Sequence, residues 1–347
     1  MAKRIALFNH KGGVSKTTTT FNLGWKLAEK GHRVVVVDSD PQCNLTGLVL
    51  GFGGGTDLED FYVEHPDRNI YAGLSPAFES RPSSIEAVKC FEVNERPGLF
   101  LLPGNIRLSE YETVLGIAQE LSGSLQTLQN LPGSITFLLE ETAKLYDAEY
   151  MIIDMSPGLG PINQNLLSTS DYFLVPTAPD YFSVMAIDSL SRVIPQWNNW
   201  AIEANKLAIL RDAAYPFPCP NLKFLGAIVQ NFRPRGGAPA KSFQKWIDEI
   251  GSAINDRLVP SFNSSDLLLE ADAYAAADIP PNTMIMAQIP DFNSLIAISQ
   301  NSQKPIFALD ASDTGQSGVV LQETLRNKAR FDALFETLAD QVVLLTG

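Results

Sequence analysis

The stretch Lys11-Gly12-Gly13-Val14-Ser15-Lys16-Thr17-Thr18 constrains this chain more than any other. It follows a short apolar run, Ile5-Ala6-Leu7-Phe8, and precedes a helical pattern from Thr18 to Lys30. Strand, glycine-rich loop and helix, in that order, make the setting of a phosphate-binding loop. The two glycines let the backbone wrap an anion. Successive N–H groups from Gly12 to Thr18 then point inward, and the helix N-terminus adds its partial positive charge. In such a loop Lys16 reaches the β- and γ-phosphates and the Thr17 hydroxyl ligates Mg²⁺. A second lysine, Lys11, opens the loop. A lysine at each end suits a site that two subunits share across a sandwiched nucleotide.

The rest of the chain alternates between strand-like and helix-like segments, which predicts an α/β fold with a mostly parallel, doubly wound sheet. The expected strands are Ile5–Phe8, Val34–Asp38, Leu99–Leu102, Tyr150–Asp154, Tyr172–Val175, Phe224–Gln230 and Ile285–Ile289. Most are short runs of Val, Ile and Leu, as strands buried on both faces require. The expected helices are Thr18–Lys30, Leu108–Glu120, Ile135–Tyr146, Val184–Ile194, Ala240–Leu258 and Val319–Leu344. With 347 residues, 45% of them apolar, one domain spanning the chain can bury a large core. Three stretches, near 51–97, 197–220 and 261–281, read as loop-like insertions because they are rich in Gly, Pro, Ala and Ser. No apolar run approaches the roughly 20 residues that span a bilayer. Three scattered cysteines, Cys43, Cys90 and Cys219, suit a reducing cytoplasm. A net charge of −13 excludes wholesale nucleic-acid binding by charge and leaves room only for a local basic patch.

Three further segments carry site chemistry. Val37-Asp38-Ser39-Asp40 ends the second strand in two carboxylates, where doubly wound sheets bind ligands. Beside a phosphate loop such a pair points to Mg²⁺ and water handling. Tyr150-Met151-Ile152-Ile153-Asp154 is a buried strand that delivers a carboxylate to the hydration shell of the metal. Asn231, at the end of the Phe224–Gln230 strand, has an amide that can accept from an adenine amino group and donate to a ring nitrogen.

Together these motifs resemble the ParA/MinD branch of P-loop ATPases. Lys11 to Thr17 matches its deviant Walker A box, K-G-G-x-x-K-[ST], in which the first lysine enters the partner's active site. Asp38 to Asn44 resembles its switch I. By that likeness Asp40 positions or activates the attacking water, and Asp38 supports Mg²⁺ through water. Asp154 matches Walker B. Pro157-Gly158 resembles switch II, where the Gly158 N–H meets the γ-phosphate, although Ser156 replaces the first proline of the usual Asp-x-Pro-Pro-Gly. Gly226–Asn231 and Ile289-Pro290 resemble the adenine-contacting segments, and Gly98–Asn105 and Val175–Phe182 add matches in the same order. The resemblance implies ATP and Mg²⁺ as cofactors and slow hydrolysis in an ATP-bound homodimer, with Lys11, Lys16 and Asp40 as its catalytic residues.

Within that branch, the partition or positioning type implies non-specific DNA binding, a nucleoid-associated cytoplasmic location and a stimulating partner, ParB-like or an adaptor. Candidate DNA contacts are Arg233, Arg235, Lys241 and Lys245, with Arg326 and Arg330 one helical turn apart near the C-terminus. A MinD-type membrane ATPase is disfavoured. The C-terminal apolar stripe Phe331, Leu334, Phe335, Leu338 and Val342 carries a polar face with Asp332, Glu336 and Asp340, which anionic lipid repels. A defence or signalling switch on the same scaffold would use the insertions to meet a partner. Metabolic relatives of the amidoligase type do not need Lys11, and an iron–sulfur relative would need a Cys-x-x-Cys that is missing.

Overall fold

The computed structural model describes residues 1–52, 57–121, 126–235 and 238–347. The strands are β1 (Lys3–Leu7), β2 (Val34–Asp38), β3 (Phe91–Glu92), β4 (Leu99–Leu102), β5 (Tyr150–Asp154), β6 (Tyr172–Thr177), β7 (Lys223–Phe232), β8 (Pro234–Arg235), β9 (Ala238–Pro239) and β10 (Ile285–Pro290). The helices are α1 (Lys16–Glu29), α2 (Asn44–Leu50), α3 (Asp57–Glu64), α4 (Ile70–Phe78), α5 (Glu112–Glu120), α6 (Leu131–Leu145), α7 (Pro161–Thr169) and α8 (Tyr181–Lys206). They continue with α9 (Ala208–Arg211), α10 (Lys241–Ala253), α11 (Val259–Ser264), α12 (Ala271–Ala276), α13 (Leu295–Ser302), α14 (Ala311–Thr314) and α15 (Gly318–Thr346).

All seven expected strands form, and they lie in one eight-stranded sheet ordered β10-β7-β6-β1-β5-β2-β4-β3. Its pairs are parallel except for the short edge pair β3–β4. Val34 to Val37 are wholly buried, as an all-valine strand covered on both faces should be. Helix α1 lies so close over β2 that a Cβ on Gly24 would stand 2.6 Å from a Val36 methyl carbon. From β1 the sheet grows to one side through β5, β2 and β4, and to the other through β6, β7 and β10. The loop after β1 therefore sits where the winding reverses, the place such sheets leave open for a ligand.

Several boundaries differ from the sequence expectation. The stretch 197–220 is not all loop, because α8 runs through Pro195 to Lys206. Proline removes the bond that its N–H would give to the Ser191 carbonyl, and the Ser261 hydroxyl supplies that carbonyl with a donor at 2.6 Å. The 51–97 insertion holds α3, α4 and β3, while its triple glycine lies outside the described residues. The 261–281 stretch begins inside α11 and contains α12. Helix α10 passes through a π-helical turn, Ile254–Leu258, into α11, which admits Pro260 at its first turn.

The C-terminal helix is docked. Phe331, Phe335, Leu338 and Val342 are buried in the core. The acidic residues beside them do not form a free face. Asp332 and Glu336 pair with Lys26 of α1, and Glu336 and Asp340 pair with Lys30. Burial alone would lower the pKa of Lys26, but hydrogen bonds to Asp332 and Glu29 outweigh it and raise it. Lys30 is raised in the same way through Asp340 and Glu336. The clamp is thus complete below the ordinary lysine pKa and is lost as pH rises through the raised value. Lys26→Ala is expected to cost about 2 kcal/mol in urea unfolding at neutral pH, discounted for half-exposed partners. An unchanged midpoint would show that α15 is held by its apolar face alone. Among the described residues no helix is long and apolar enough to cross a membrane.

Candidate functional site

Strand register assembles the site. Leu7 of β1 and Asp38 of β2 both lie level with Asp154 of β5, so the glycine-rich loop, the Asp38–Asp40 turn and Asp154 come together at the carboxyl ends of three adjacent strands. The loop needs left-handed backbone at two places, Gly13 (φ 71°) and Ser15 (φ 58°). Serine tolerates this strain poorly, and neighbours from β7 hold it. The Asn231 amide donates to the Ser15 hydroxyl at 2.9 Å. The Gln230 amide donates to the Val14 carbonyl at 3.2 Å and the Thr19 hydroxyl at 2.7 Å.

Lys16 is nearly buried, and its ammonium donates to the carbonyls of Asn9 (3.1 Å) and Lys11 (3.3 Å). Burial lowers its pKa, while Asp154 and Asp40 act in the other direction. Lys11 stands on the other flank. Its N–H donates to the Asn9 side chain at 3.0 Å, and its ammonium pairs with Asp180 and reaches the Ser183 hydroxyl at 3.0 Å. Asp180 is also the N-cap of α8, accepting from the Ser183 N–H at 2.9 Å. In this structure both lysines are therefore engaged within their own chain.

The carboxylates divide their tasks. Asp38 is spent on structure: one oxygen accepts from the Thr46 N–H and hydroxyl, both at 2.7 Å, and the other from the Asp40 N–H at 3.2 Å. Complete burial pushes its carboxyl up to about 6 despite those bonds. Asp40 is mostly buried and caps the Gln42 N–H at 2.9 Å. Asp154 differs from both. It is 1% exposed, and among the described residues neither of its oxygens has a partner in full hydrogen-bond geometry, the Thr17 hydroxyl standing near enough only to favour its charge. Burial, then the Asp38 charge, drives its pKa well up, and Thr17 and Lys16 pull it the other way. An unpartnered buried carboxylate beside a hydroxyl and a lysine fits a divalent cation. Among the described residues no cluster of three acidic, His or Cys ligands exists, which suits Mg²⁺ completed by phosphate and water rather than an all-protein cage.

Gly12 to Thr18, Asp40, Gln42 and Pro157 line a cleft of about 960 Å³, whose far wall is made by α2, Phe52, α3 and α13. Asn231 and Pro290, read as adenine contacts, do not line it. Asn231 is turned onto the loop, and Pro290 borders a separate cavity of about 280 Å³ with Pro234 and Arg330. Gly158 has φ 128°, a conformation that favours glycine, and its carbonyl is held by Asn163 at 3.1 Å. Arg233, Arg235, Lys241, Lys245 and Arg326 are exposed and Arg330 is partly so. Arg233 and Arg235 lie on and beside the β8–β9 hairpin, and Lys241 and Lys245 on α10. Pro234 of the hairpin and Arg330 of α15 line the same small cavity.

Asn9, Thr46, Asn163, Asp180 and Gln230 were not singled out from the sequence. Asp180 lies within Val175–Phe182 and Gln230 within Gly226–Asn231, but only the folded chain shows what they hold.

The family model described as AAA domain (AAA_31) matches residues 2–208. The chain belongs to the ParA/MinD family of P-loop ATPases. The matched span includes the phosphate loop and both switches and stops at the end of α8, before Asn231 and Pro290. An uncharacterized protein of Methanocaldococcus jannaschii is 30% identical over 241 residues, 70% of this chain and 78% of that one. The chromosome partitioning protein ParA of Caulobacter vibrioides is 32% identical over 191 residues, 55% of this chain and 61% of its own. Among solved structures, a Cyanothece McdA–ATP complex superposes with TM-score 0.56 at 18% identity, covering 97% of this chain and 96% of that one. A putative plasmid partition protein of Borrelia burgdorferi bound to AMPPNP gives 0.52 at 15%, covering 95% and 98%. At those identities the two structures establish a shared P-loop NTPase fold.

Proposed function

We propose that this protein is a Mg²⁺-dependent ATPase whose ATP-bound dimer binds duplex DNA without sequence preference and positions a plasmid, chromosome or protein cargo. The observation that carries the nucleotide part is Asp154, a buried carboxylate beside Lys16 and Thr17 whose oxygens lack a partner in full hydrogen-bond geometry among the described residues. Thr17 and Asp154 would hold Mg²⁺, with Asp38 behind them fixing switch I. The bound metal offsets phosphate charge. Lys16 exchanges its two carbonyl partners for phosphate oxygens. The Gly12–Thr18 backbone cradles the phosphates. Asn231 and Pro290 flank the base after the Asn231 amide leaves Ser15. Asp40 orients the attacking water, and Lys11, released from Asp180, stabilises the leaving group in the partner subunit.

Asp40→Ala is then expected to bind ATP normally and accumulate a dimer. Size-exclusion chromatography with ATP and Mg²⁺ should show that dimer persisting, and a monomer with normal turnover would remove Asp40 from the hydrolytic step.

The cargo-positioning part rests on the six cations, which have no ion pair among the described residues, in a chain of net charge −13. Two subunits pooling their patches would bind DNA where one would not. A stimulating partner, ParB-like or an adaptor, would then trigger hydrolysis and release, in a nucleoid-associated cycle in the cytoplasm. Past Arg330 the polar face of α15 is acidic, and its Asp332, Glu336 and Asp340 are paired with Lys26 and Lys30, so this apolar stripe has no basic flank for anionic lipid, which favours DNA over membrane. The test is retention of non-sequence-specific duplex DNA with ATP or ADP at rising salt, beside anionic liposomes. ATP-dependent retention is expected, with the salt slope falling by about one for each phosphate contact removed, as in Arg330→Ala. Liposome pelleting without DNA retention would replace this reading with a membrane ATPase.

A further inference from the structure

Switch II carries a hydrogen-bond network of its own around the Pro157–Gly158 peptide. Asn163 lies in the first turns of α7 and is 1% exposed. Its amide nitrogen donates to the Ser156 carbonyl at 3.0 Å and to the Gly158 carbonyl at 3.1 Å. Its amide oxygen accepts from the Ser156 hydroxyl at 3.2 Å. One side chain thus grips the peptides on both sides of the Pro157–Gly158 peptide, and that middle peptide bears the Gly158 N–H. Among the described residues the Gly158 N–H has no backbone acceptor. Pro157 lines the phosphate-loop cleft, and a Cβ on Gly12 would stand 3.9 Å from the Pro157 Cβ. The bracketed peptide therefore faces the loop that holds the phosphates.

Ser156 gives the network its purpose. A proline at that position would fix φ and stiffen the turn by itself. Serine leaves φ free, so the loop can hold one conformation only if something else restrains it. The hydroxyl that serine brings is the group that closes onto Asn163.

We propose that Ser156 and Asn163 form a latch that presents the Gly158 N–H to the terminal phosphate, making both of them positioning residues for selecting ATP over ADP. The proposal rests on the nucleotide reading above. ADP lacks the phosphate that this N–H would meet, so loosening the latch weakens binding of the triphosphate alone.

The test is calorimetric affinity for AMPPNP and for ADP, each with Mg²⁺, in wild type, Asn163→Ala, Asn163→Asp and Ser156→Ala. Asn163→Asp keeps the shape but cannot donate to the two carbonyls. Both Asn163 variants should lose about tenfold in AMPPNP affinity and less than about twofold in ADP affinity. Ser156→Ala, at a half-buried site, should shift in the same direction by less. Ser156→Pro placed on Asn163→Ala should restore part of the AMPPNP affinity, since the ring replaces the latch. ADP affinity reports in each case that the phosphate loop is folded. Equal losses for both nucleotides, or no change for either, would overturn the latch. A wild-type protein that binds neither nucleotide would instead remove the nucleotide reading, and the latch with it.

Discussion

Lys16→Ala is expected to abolish ATP binding, with a loss of at least about a hundredfold. The ammonium of Lys16 sits behind the glycine turn, where its reach covers two phosphates, and each charge-assisted bond contributes about 1.5–3 kcal/mol. Among the described residues that ammonium has two backbone carbonyls as its hydrogen-bond partners, and burial already disfavours its charge. Phosphate oxygens are better acceptors for a largely desolvated cation than carbonyls are, so the lysine gains by the exchange. The fold itself should survive the change, because Lys16 projects from the first residue of α1 into a cleft and not into the core. Calorimetry with ATP and Mg²⁺, with circular dichroism as the folding control, checks both halves. Unchanged ATP affinity would remove the phosphate-loop assignment.

Lys11→Ala is expected to keep ATP binding and lose turnover, by roughly a thousandfold if the lysine acts as a trans finger does. Its ammonium is held by Asp180 and Ser183 of its own chain, not by the loop it opens. A side chain anchored on the flank of the site can be handed to a partner, whereas Lys16, folded under the loop, cannot. Mixing Lys11→Ala with Asp40→Ala chains tests the geometry. A mixed dimer collects both defects in one site and leaves the other whole. Random pairing should therefore recover up to about a quarter of wild-type hydrolysis from two nearly inactive proteins. Full activity of Lys11→Ala alone would show that the lysine serves the loop in its own chain or has no role in turnover.

Much of this site was legible before folding because its chemistry is contiguous. Lys11 to Thr18 is one turn, Asp38 to Asp40 one strand end, and Tyr150 to Asp154 one strand. A phosphate loop needs its glycines and lysine at set spacings along the chain, and a buried parallel strand announces itself by an unbroken apolar run. Helix ends were less legible. Pro195 reads as a stop, and only the Ser261 hydroxyl, supplied from 66 positions away, explains why α8 continues. The adenine reading was the weakest, since Asn231 carries a polar side chain that fits a base or a loop equally well, and here it is bonded to Ser15.

By itself the sequence determined the seven main strands, the phosphate loop, and the carboxylates that leave the sheet beside it. Those features are set by local backbone sterics and by hydrophobic period, which neighbouring residues fully specify. The tertiary structure alone decided which polar groups are spent and which stay free. Lys11 meets Asp180 across 169 positions, Lys26 meets Asp332 across 306, and Asp38 is taken by Thr46 while Asp154 is left bare. A buried charge is governed by whatever the fold brings within hydrogen-bond reach in a low dielectric, and no short window of sequence contains that information.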